Sequence, residues 1–477
     1  MNEEKFLQLE AIFHPESVAV VGASSDRIKH GGRFFGVLLD SGYEGNIYPV
    51  NNTESEVMGE KSYPTVSAIP GPVDYVFAAV PANVILEVID DCAAKGVKAV
   101  HIFTAGFKEA GTRDGRWLEE EIVKKARDAN VRIIGPNCIG IYNPSIKLNF
   151  WGITHKVGPI AMISQSGGVV TLVTDMVMNR GGGFSKIVSY GNGCDLDSTD
   201  FVEYFGADPD TSIIAIYIEG MRNGRRLFEL LRQVCMTKPV IICKGGKTEA
   251  GAEVIASHTG SLATSEIIWE ALSKQTGIVM VDNLEELADT ILAFDLLWGF
   301  KGRRIGIVCG LTFGGGGEGV SVTDAFSGVG LEVPPFSPET RGKLAAFLPW
   351  PGTILRNPLD IGTLGSADIM ESSLTTIAAD PGVDLIIIFE QSQKMLYMLP
   401  EESVQAINRV SIQSKERLPK PIVVVSTPGF PTTKVHWDRE QELAAARIPV
   451  YPSVQRAARA VARVSQYFAH AGSGEDR

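Results

Sequence analysis

Short runs of apolar, β-branched residues alternate with segments of helical length along the whole chain of 477 residues. Strands that are buried on both faces are continuous apolar runs of this kind, and the helices between them connect parallel strands. The alternation therefore predicts an α/β fold. It divides into three successive sets, which we interpret as an N-terminal Rossmann-like domain followed by two flavodoxin-like, doubly wound domains.

The three sets give the expected domain boundaries. In the first set we predict strands at Ser17–Val21, Asn46–Val50, Val73–Val80, Val97–Phe103 and Val131–Ile134. The second set has strands that begin at Gly158, Lys186, Ser212, Pro239 and Gly277, and a helix over Asn283–Trp298 closes it. The third set has strands at 305–309, 384–389 and 421–425. We therefore expect domains at residues 1–145, 146–300 and 301–477.

Composition and charge argue against two classes of function, membrane association and nucleic-acid binding. Hydrophobic residues make up 44% of the chain and charged residues 21%, which is close to the globular average. The longest apolar stretches are shorter than a bilayer span, so we expect no membrane association. The 44 basic and 56 acidic residues give a net charge of −12. Such a field repels phosphate backbones, so we expect no nucleic-acid binding.

The cysteines indicate a reducing compartment. None of the six forms a CxxC pair or has metal-ligand spacing with any of the seven histidines. We therefore expect reduced thiols and no metal site. The chain starts with acidic residues where a secretory signal needs a basic end and an apolar run. These features predict a cytoplasmic protein.

The first apolar strand runs into a turn of small residues that could approach a phosphate. Such a turn, followed by a helix start, is a common phosphate site in α/β folds. A cluster of cations follows it, which indicates a nucleotide ligand with an extra phosphate. The candidate ligand-binding residues are Gly22, Ala23, Ser24 and Ser25 in the turn, Arg27, Lys29 and Arg33 in the cluster, and Asn51 after the second strand.

Three later strand ends carry similar turns. In open α/β sheets, ligands bind outside the carboxyl ends of the strands, so these turns are expected to line the same cleft. The candidate residues are Val80 and Pro81, Thr104, and Gly135, Pro136 and Asn137. Cys138 is better interpreted as a half-buried thiol than as a nucleophile, because no histidine is placed by sequence to activate it.

The second set carries residues suited to phosphate chemistry. Ser164-Gln165-Ser166-Gly167-Gly168 lies between a strand and a helix, where free amides and the helix dipole favour an anion. His258 lies in a predicted loop of small and hydroxyl residues. Glu219 ends an apolar strand, where it could orient an imidazole or could simply face water. Lys244-Gly-Gly-Lys-Thr248 lacks the first glycine of a P-loop, because Ile241 occupies that position.

Five of these segments occur in a characteristic order: Val-Gly-Ala-Ser-Ser, Gly-Pro-Asn-Cys, Ser-Gln-Ser-Gly-Gly, Tyr-Ile-Glu-Gly and Ser-His-Thr-Gly-Ser-Leu-Ala. In this order they resemble the α subunit of NDP-forming acyl-CoA synthetases, the ADP-forming acetyl-CoA synthetase group, and more distantly succinyl-CoA synthetase α. The resemblance extends over nearly the whole chain, including Asn357-Pro-Leu-Asp360 and the glycine run Gly314–Gly317 in the third domain.

The resemblance implies CoA binding in the first domain and a phosphorylated histidine in the second. The histidine maps onto His258, the carboxylate that steadies it onto Glu219, and the helix start that receives the phosphate onto residues 164–168. The implied reaction interconverts acyl-CoA, ADP and phosphate with a small carboxylic acid, CoA and ATP, through an acyl phosphate. The family binds ADP or ATP, with Mg, on an ATP-grasp module, which we expect on a partner β subunit in a hetero-oligomer.

Two other functions remain open from the sequence. Relatives of these domains also serve as non-catalytic acyl-CoA-binding or regulatory modules, but the presence of both His258 and Glu219 favours the enzyme. An NAD-binding oxidoreductase would rest on the first domain alone. That domain lacks the GxGxxG turn, and Asn51 and Asn52 end the second strand where a ribose-binding acid is expected.

Overall fold

The computed structural model describes residues 1–153, 155–259, 266–311, 315–348, 353–362, 366–427 and 434–471, without the side chains of 256–259, 315 and 471. Two compact units divide the chain. The first consists of residues 1–175 and 183–287, and the second of residues 176–182 and 288–477. Among the described residues, the first unit contains two large sheets and one two-stranded hairpin, and the second unit contains one sheet.

The first sheet is entirely parallel, and a small hairpin (β3 and β4) lies outside it. Its strand order is β2-β1-β5-β6-β7, and β1 is buried along its whole length because helices cover both faces. The elements are α1 (Glu3–Phe13), β1 (Ser17–Val21), α2 (His30–Asp40), β2 (Asn46–Val50), β3 (Glu56–Val57), β4 (Glu60–Lys61), β5 (Tyr75–Ala78), α3 (Ile85–Lys95), β6 (Ala99–Ile102), α4 (Arg113–Asp128) and β7 (Arg132–Ile134), with single 3₁₀ turns at Ala82–Val84, Lys108–Ala110 and Pro144–Ile146.

The second sheet has six strands in the order β13-β12-β11-β9-β10-β8. All pairs are parallel except that of β8 with β10. The elements are β8 (Gly140–Tyr142), β9 (Val157–Ser164), α5 (Gly167–Met178), β10 (Phe184–Ser189), α6 (Ser198–Ala207), β11 (Ile213–Ile218), α7 (Gly224–Val234), β12 (Val240–Lys244), α8 (Glu249–Thr259), α9 (Glu266–Thr276), β13 (Val279–Val281) and α10 (Leu284–Leu296).

The third sheet has the order β15-β16-β14-β17-β18-β19, with one antiparallel edge strand, β15. In both six-stranded sheets the first parallel strand along the chain is central and an antiparallel strand lies at one edge. The elements are β14 (Ile305–Cys309), α11 (Gly315–Ser327), α12 (Pro338–Phe347), β15 (Ile354–Leu355), β16 (Leu359–Asp360), α13 (Ala367–Ala378), β17 (Leu385–Gln391), α14 (Ser392–Met398), α15 (Glu401–Arg417), β18 (Ile422–Thr427), α16 (Lys434–Ala445), β19 (Val450–Tyr451) and α17 (Val454–Ala471).

Aromatic and ionic contacts join the elements of the first unit. The ring of Phe13 in α1 stacks on Tyr204 in α6, with centroids 5.0 Å apart, so the N-terminal helix packs against the second sheet. Lys186 and Asp208 form an ion pair of 3.0 Å, and both side chains are 1% exposed. A buried charge of this kind is tolerated because its partner is present.

The predicted fold class is confirmed, but several short strands were missed. Strands β8, β15, β16 and β19 have only two or three residues, which is too short for a hydrophobic pattern. The position of β8 is notable, because Gly140–Tyr142 pairs in the second sheet although it precedes the boundary that we placed at residue 145. The domain boundaries themselves stay predictions.

Candidate active site

The turn after β1 is held by close backbone packing. Gly22 has a φ of +87°, and a Cβ there would lie 2.5 Å from the carbonyl oxygen of Ala79. Gly31, in the first turn of α2, would place a Cβ 1.9 Å from the carbonyl oxygen of Gly22. Both positions therefore require glycine, and α2 starts directly against the turn.

Glu54 occupies hydrogen-bond donors of this turn, which sequence reasoning did not foresee. Its carboxylate accepts from the hydroxyl of Ser24 at 3.1 Å and from the amide of Ser25 at 3.2 Å. The hydrogen bonds from Ser25 are the main reason that the pKa of Glu54 lies below its usual value. The side-chain amide of Asn51 donates to the carbonyl of Ala23 at 2.7 Å and so fastens the end of β2 to the turn. A phosphate bound here would have to displace Glu54.

The predicted cluster of cations is only partly free. The guanidinium of Arg27 donates to the carboxylate of Asp40 at 2.5 Å, so its charge is already compensated. Lys29 precedes the first residue of α2, and Arg33 lies in the first turn of that helix. Both side chains are exposed, and neither forms an ion pair within the described part of the chain. These two residues are the available cations near the turn.

The turns after β5, β6 and β7 meet at the carboxyl edge of the first sheet, as predicted. The hydroxyl of Thr104 donates to the carbonyl of Val80, and the amide of Asn137 donates to the carbonyl of Thr104 at 3.0 Å. Pro81 opens the 3₁₀ turn after β5. Gly135, with a φ of +107°, would place a Cβ 2.7 Å from the carbonyl of Ile102.

Residues 164–168 connect the end of β9 to the first turn of α5. The hydroxyl of Ser164 donates to the carbonyl of Ser166 at 2.7 Å, and the hydroxyl oxygen of Ser166 accepts from the amide of Val169 at 3.4 Å. Within the described residues, the amides of Gly167 and Gly168 have no acceptor, as is usual in a first helical turn. These amides are available to an anion.

Glu219 is buried beside this helix start and does not face water. Its side chain is 6% exposed, although it is a carboxylate at the end of β11. Gln165 connects the two segments, because its side-chain oxygen accepts from the amides of Glu219 and Gly220 at 2.8 and 3.0 Å. One carboxylate oxygen, Oε1, accepts from the hydroxyl of Tyr217 at 3.3 Å. The other, Oε2, has no partner among the described residues.

A buried lysine on the neighbouring strand adds to this cluster. Lys244 ends β12 and is 4% exposed. Burial lowers the pKa of Lys244, and the negative charge of Glu219 opposes that shift. Burial and then the charge of Glu219 raise the pKa of Tyr217. The sequence motif around Lys244 suggested only a failed P-loop, so its place beside Glu219 was not predicted.

One cavity of about 670 Å³ is lined by residues of four predicted segments, at 80–81, Thr104, Asn137 and 165–168. The other predicted site residues that the structure describes with their side chains do not line it: those at 22–25, Arg27, Lys29, Arg33, Asn51, Gly135, Pro136, Ser164 and Glu219. The turns after β5, β6 and β7 line it on one side, and the start of α5 lines it on the other. All of its lining residues belong to the first unit. They are His30, Ala79, Val80, Pro81, Phe103, Thr104, Ala105, Asn137, Cys138, Ile139, Gln165, Ser166, Gly167, Gly168 and Gly191.

Two other sequence predictions have different outcomes. Cys138 is buried, and burial raises the pKa of its thiol well above the usual range, which agrees with a structural thiol. The backbone of His258 lies in the last turn of α8, where the sequence predicted a loop. Alanine and glutamate in residues 249–256 favour that helix. The side chain of His258 and the whole of residues 260–265 lie outside the described residues.

Comparison with known families identifies the class of protein. Residues 16–144 match the CoA binding domain family, and residues 157–294 match the succinyl-CoA ligase like flavodoxin domain family. The match of the first domain agrees with its cleft, and that of the second with the phosphate-suited helix start. Together the fold and the site define a CoA-dependent ligase. No described helix is long and apolar enough to cross a membrane.

Full-length relatives identify the family. The chain is 36% identical to subunit alpha of the ADP-forming acetate-CoA ligase II of Pyrococcus furiosus, over 98% of this chain and 99% of the relative. It is 36% identical to ADP-forming acetate-CoA ligase I of Archaeoglobus fulgidus, but spans only 60% of that protein. The structure of acetyl-coenzyme A synthetase 1 of Ca. Korarchaeum cryptofilum, in complex with phosphate and ADP, has a TM-score of 0.83 at 34% identity, with 98% of this chain and 97% of that one covered. The chain belongs to the ADP-forming acyl-CoA synthetase family and is of the α-subunit type, which confirms the resemblance seen in the sequence.

Proposed function

We propose that this chain catalyses the exchange of CoA for phosphate on an acyl group and then carries the phosphoryl group on His258. The observation that supports the proposal is the shared cavity, in which turns of the CoA-binding domain face the start of α5. Within the proposal the domains are residues 1–145, 146–300 and 301–477. CoA is bound by the turns of the first domain, with Lys29 and Arg33 near its 3′-phosphate, and inorganic phosphate is bound at the amides of Gly167 and Gly168.

The first step joins phosphate to the acyl group. A phosphate oxygen attacks the thioester carbonyl, the carbon–sulfur bond breaks, and CoA leaves as a thiolate that takes up a proton. The products are an acyl phosphate and CoA. Amides at a helix start stabilise the negative charge on the phosphoryl group, and holding both reactants in one cavity lowers the entropic cost.

The second step transfers the phosphoryl group to His258. An imidazole nitrogen forms the bond to phosphorus, the phosphorus–oxygen bond to the acyl group breaks, and the carboxylic acid leaves as its carboxylate. Glu219 is suited to accept a hydrogen bond from the other imidazole nitrogen, because its buried Oε2 has no partner among the described residues. Such a contact would hold one tautomer of the imidazole.

The third step is the transfer of the phosphoryl group from His258 to ADP. It requires ADP and Mg, whose binding we assign to an ATP-grasp β subunit. One observation supports a separate partner: the Pyrococcus relative, 99% of which is covered by the match, is named as an alpha subunit. We therefore expect that this chain forms no ATP from acyl-CoA, phosphate and ADP when the β subunit is absent. Adding the cognate β subunit should start ATP formation at equal concentrations of this chain.

The decisive experiment is phosphorylation of the purified chain by acetyl-CoA and radiolabelled phosphate. We expect an acid-labile label on the wild type and none on His258→Ala, while CoA binding measured by calorimetry stays unchanged. His470→Ala, a change at an exposed histidine, is the matched control and should keep the label. A label that persists on His258→Ala would place the carrier elsewhere. CoA binding without any label on the wild type would instead favour the acyl-CoA-binding module.

A further inference from the structure

Two buried side chains of opposite charge lie where neighbouring strands of the second sheet end. Glu219 follows β11, Lys244 is the last residue of β12, and both are almost completely buried. The two strands are parallel, and Ile218 pairs with Lys244. Because paired strands lie about 4.8 Å apart, the two charged residues leave the sheet side by side.

The loop after β12 packs directly on the segment that carries Glu219. The amide of Gly245 donates to the carbonyl of Ile218 at 2.9 Å. A Cβ placed on Gly245 would lie 2.6 Å from the hydroxyl oxygen of Tyr217 and 3.4 Å from Cγ of Glu219. The residue that follows Lys244 therefore touches the side chain of Glu219, and the ends of the two strands form one packed unit.

Lys244 is the cation available to Glu219. Its ammonium group donates to the carbonyl of Gly245, which uses only part of its donor capacity. Burial lowers the pKa of Lys244, and the charge of Glu219 is the largest influence that opposes this shift. The other lysine of this loop, Lys247, is already paired with Asp282 at 2.7 Å. On the side of the carboxylate, Oε2 has no hydrogen-bond partner among the described residues.

Two phenol groups also interact with the charge of Glu219. Tyr217 lies on its own strand, and Tyr190 follows β10. Burial is the largest cause that raises the pKa of each phenol, and the charge of Glu219 adds to it. Both phenols are therefore neutral near neutral pH. This leaves the ammonium group of Lys244 to offset the buried negative charge.

We infer that Lys244 is a positioning residue that keeps Glu219 charged, so that the free Oε2 can accept a hydrogen bond from the imidazole of His258. The inference rests on the proposed function, since it makes His258 the carrier and Glu219 the group that orients it. A buried carboxylate without a nearby opposite charge tends to take up a proton. Protonated Glu219 could not stabilise positive charge on the imidazole.

The test measures phosphorylation of the purified full chain by acetyl-CoA and radiolabelled phosphate from mildly acidic to mildly alkaline pH. An opposite charge nearby typically shifts the protonation of a carboxylate by about one pH unit or more. We therefore expect Lys244→Met to be slower than the wild type by about 10-fold or more at mildly acidic pH. It should approach the wild-type rate as the pH rises and Glu219 loses its proton. Lys244→Arg keeps the charge and should keep the wild-type rate throughout.

Lys238→Met is the matched control. Lys238 precedes the other end of β12, is half-buried, and has a pKa that burial lowers. Its ammonium group donates to the carbonyl of Phe205 at 2.8 Å, away from Glu219. The rate of Lys238→Met relative to the wild type should not vary with pH. A Lys244→Met rate in constant proportion to the wild type at every pH would overturn the positioning role.

A double variant serves if Lys244→Met fails to fold. Glu219→Gln/Lys244→Met removes both buried charges, so neither is left without its partner. Because Lys244 acts through Glu219, the double variant should phosphorylate at the same rate as Glu219→Gln alone. A further loss of rate would mean that Lys244 acts by another route and would overturn the inference.

Failure of the proposed function gives a different result, in which the wild type takes no label at any pH. Infrared spectroscopy then decides the inference. The difference spectrum of Lys244→Met against the wild type should show the carbonyl stretch of one additional protonated carboxyl group, and Glu219→Gln/Lys244→Met should lack it. The absence of this band from Lys244→Met would show that Glu219 stays charged without the lysine.

Discussion

Replacing Glu219 by glutamine removes a buried negative charge and keeps the shape of the side chain. The carboxylate is 6% exposed, and its Oε2 has no hydrogen-bond partner within the described part of the chain. Burial of this charge costs free energy of folding, and its attraction to the buried cation of Lys244 offsets that cost, so the two effects of its removal oppose each other. We therefore expect the melting temperature of Glu219→Gln to change little.

The same change should slow phosphorylation of His258. A positioned group that accepts or transfers a proton typically contributes 10²-fold to 10⁴-fold to a rate. Glutamine retains one oxygen acceptor but has no charge to stabilise a developing imidazolium. We expect a loss of about 10²-fold or more, equivalent to about 2.7 kcal/mol of activation free energy.

The assay follows the initial rate of label transfer from phosphate to the chain in the presence of acetyl-CoA, together with a thermal melt of each variant. Glu119→Gln is the matched control, because Glu119 is equally buried, at 6% exposure. Its Oε2 accepts from the side-chain amide of Asn192 at 2.9 Å, a bond that glutamine can also accept. The control should keep the wild-type rate.

Two results would refute this reasoning. A wild-type rate in Glu219→Gln would mean that the carboxylate does not orient the imidazole. A slow rate accompanied by a marked fall in melting temperature would mean that Glu219 supports the fold, and the loss of rate would then be indirect. The expected result is a slow rate without loss of stability.

Three further predictions concern other parts of the first unit. Replacing Lys29 and Arg33 by glutamine should weaken CoA more than dephospho-CoA in calorimetry, because these cations are exposed beside the first turn; equal losses would exclude them from 3′-phosphate binding. Lys186→Met should lower the free energy of unfolding in urea by about 3–5 kcal/mol, because it leaves the Asp208 carboxylate buried without its partner; an unchanged midpoint would contradict this. Burial lowers the pKa of His101 from 6.5 to about 4, so the folded state binds fewer protons than the unfolded state between these values. Stability should therefore fall as the pH drops from 6.5 towards 4, by up to about 3 kcal/mol, and His101→Phe should lose this part of the pH dependence.

The sequence predicted the long strands and the meeting of the turns that follow them for the same physical reason. Central parallel strands are buried on both faces, so they appear as continuous apolar runs, as in Ile213–Ile218. Their carboxyl ends meet at one edge of a sheet, so the residues that follow them meet as well. This reasoning correctly brought Val80, Thr104 and Asn137 together, but it did not foresee that the side chain of Gln165 accepts from the amide of Glu219.

What the sequence did not predict depends on partners that are distant along the chain. Glu54 binds the amide of Ser25 across 29 positions, and no local pattern marks that contact. The burial of Glu219 was equally open, because a strand-end carboxylate normally faces water.

The two sheets of the first unit are joined at the cavity itself. Gly191 has a φ of +54°, and a Cβ there would lie 2.2 Å from the carbonyl oxygen of Pro136, so only glycine lets the loop after β10 pack on this turn. The amides of Asn192 and Cys194 donate to the carbonyls of Pro136 and Gly135, both at 3.0 Å. These bonds fasten the turn after β7 to the loop after β10, and both segments line the cavity. A thioester and a phosphate react efficiently only when their reacting atoms are held close together. This connection therefore supplies the positioning that the proposed first step needs.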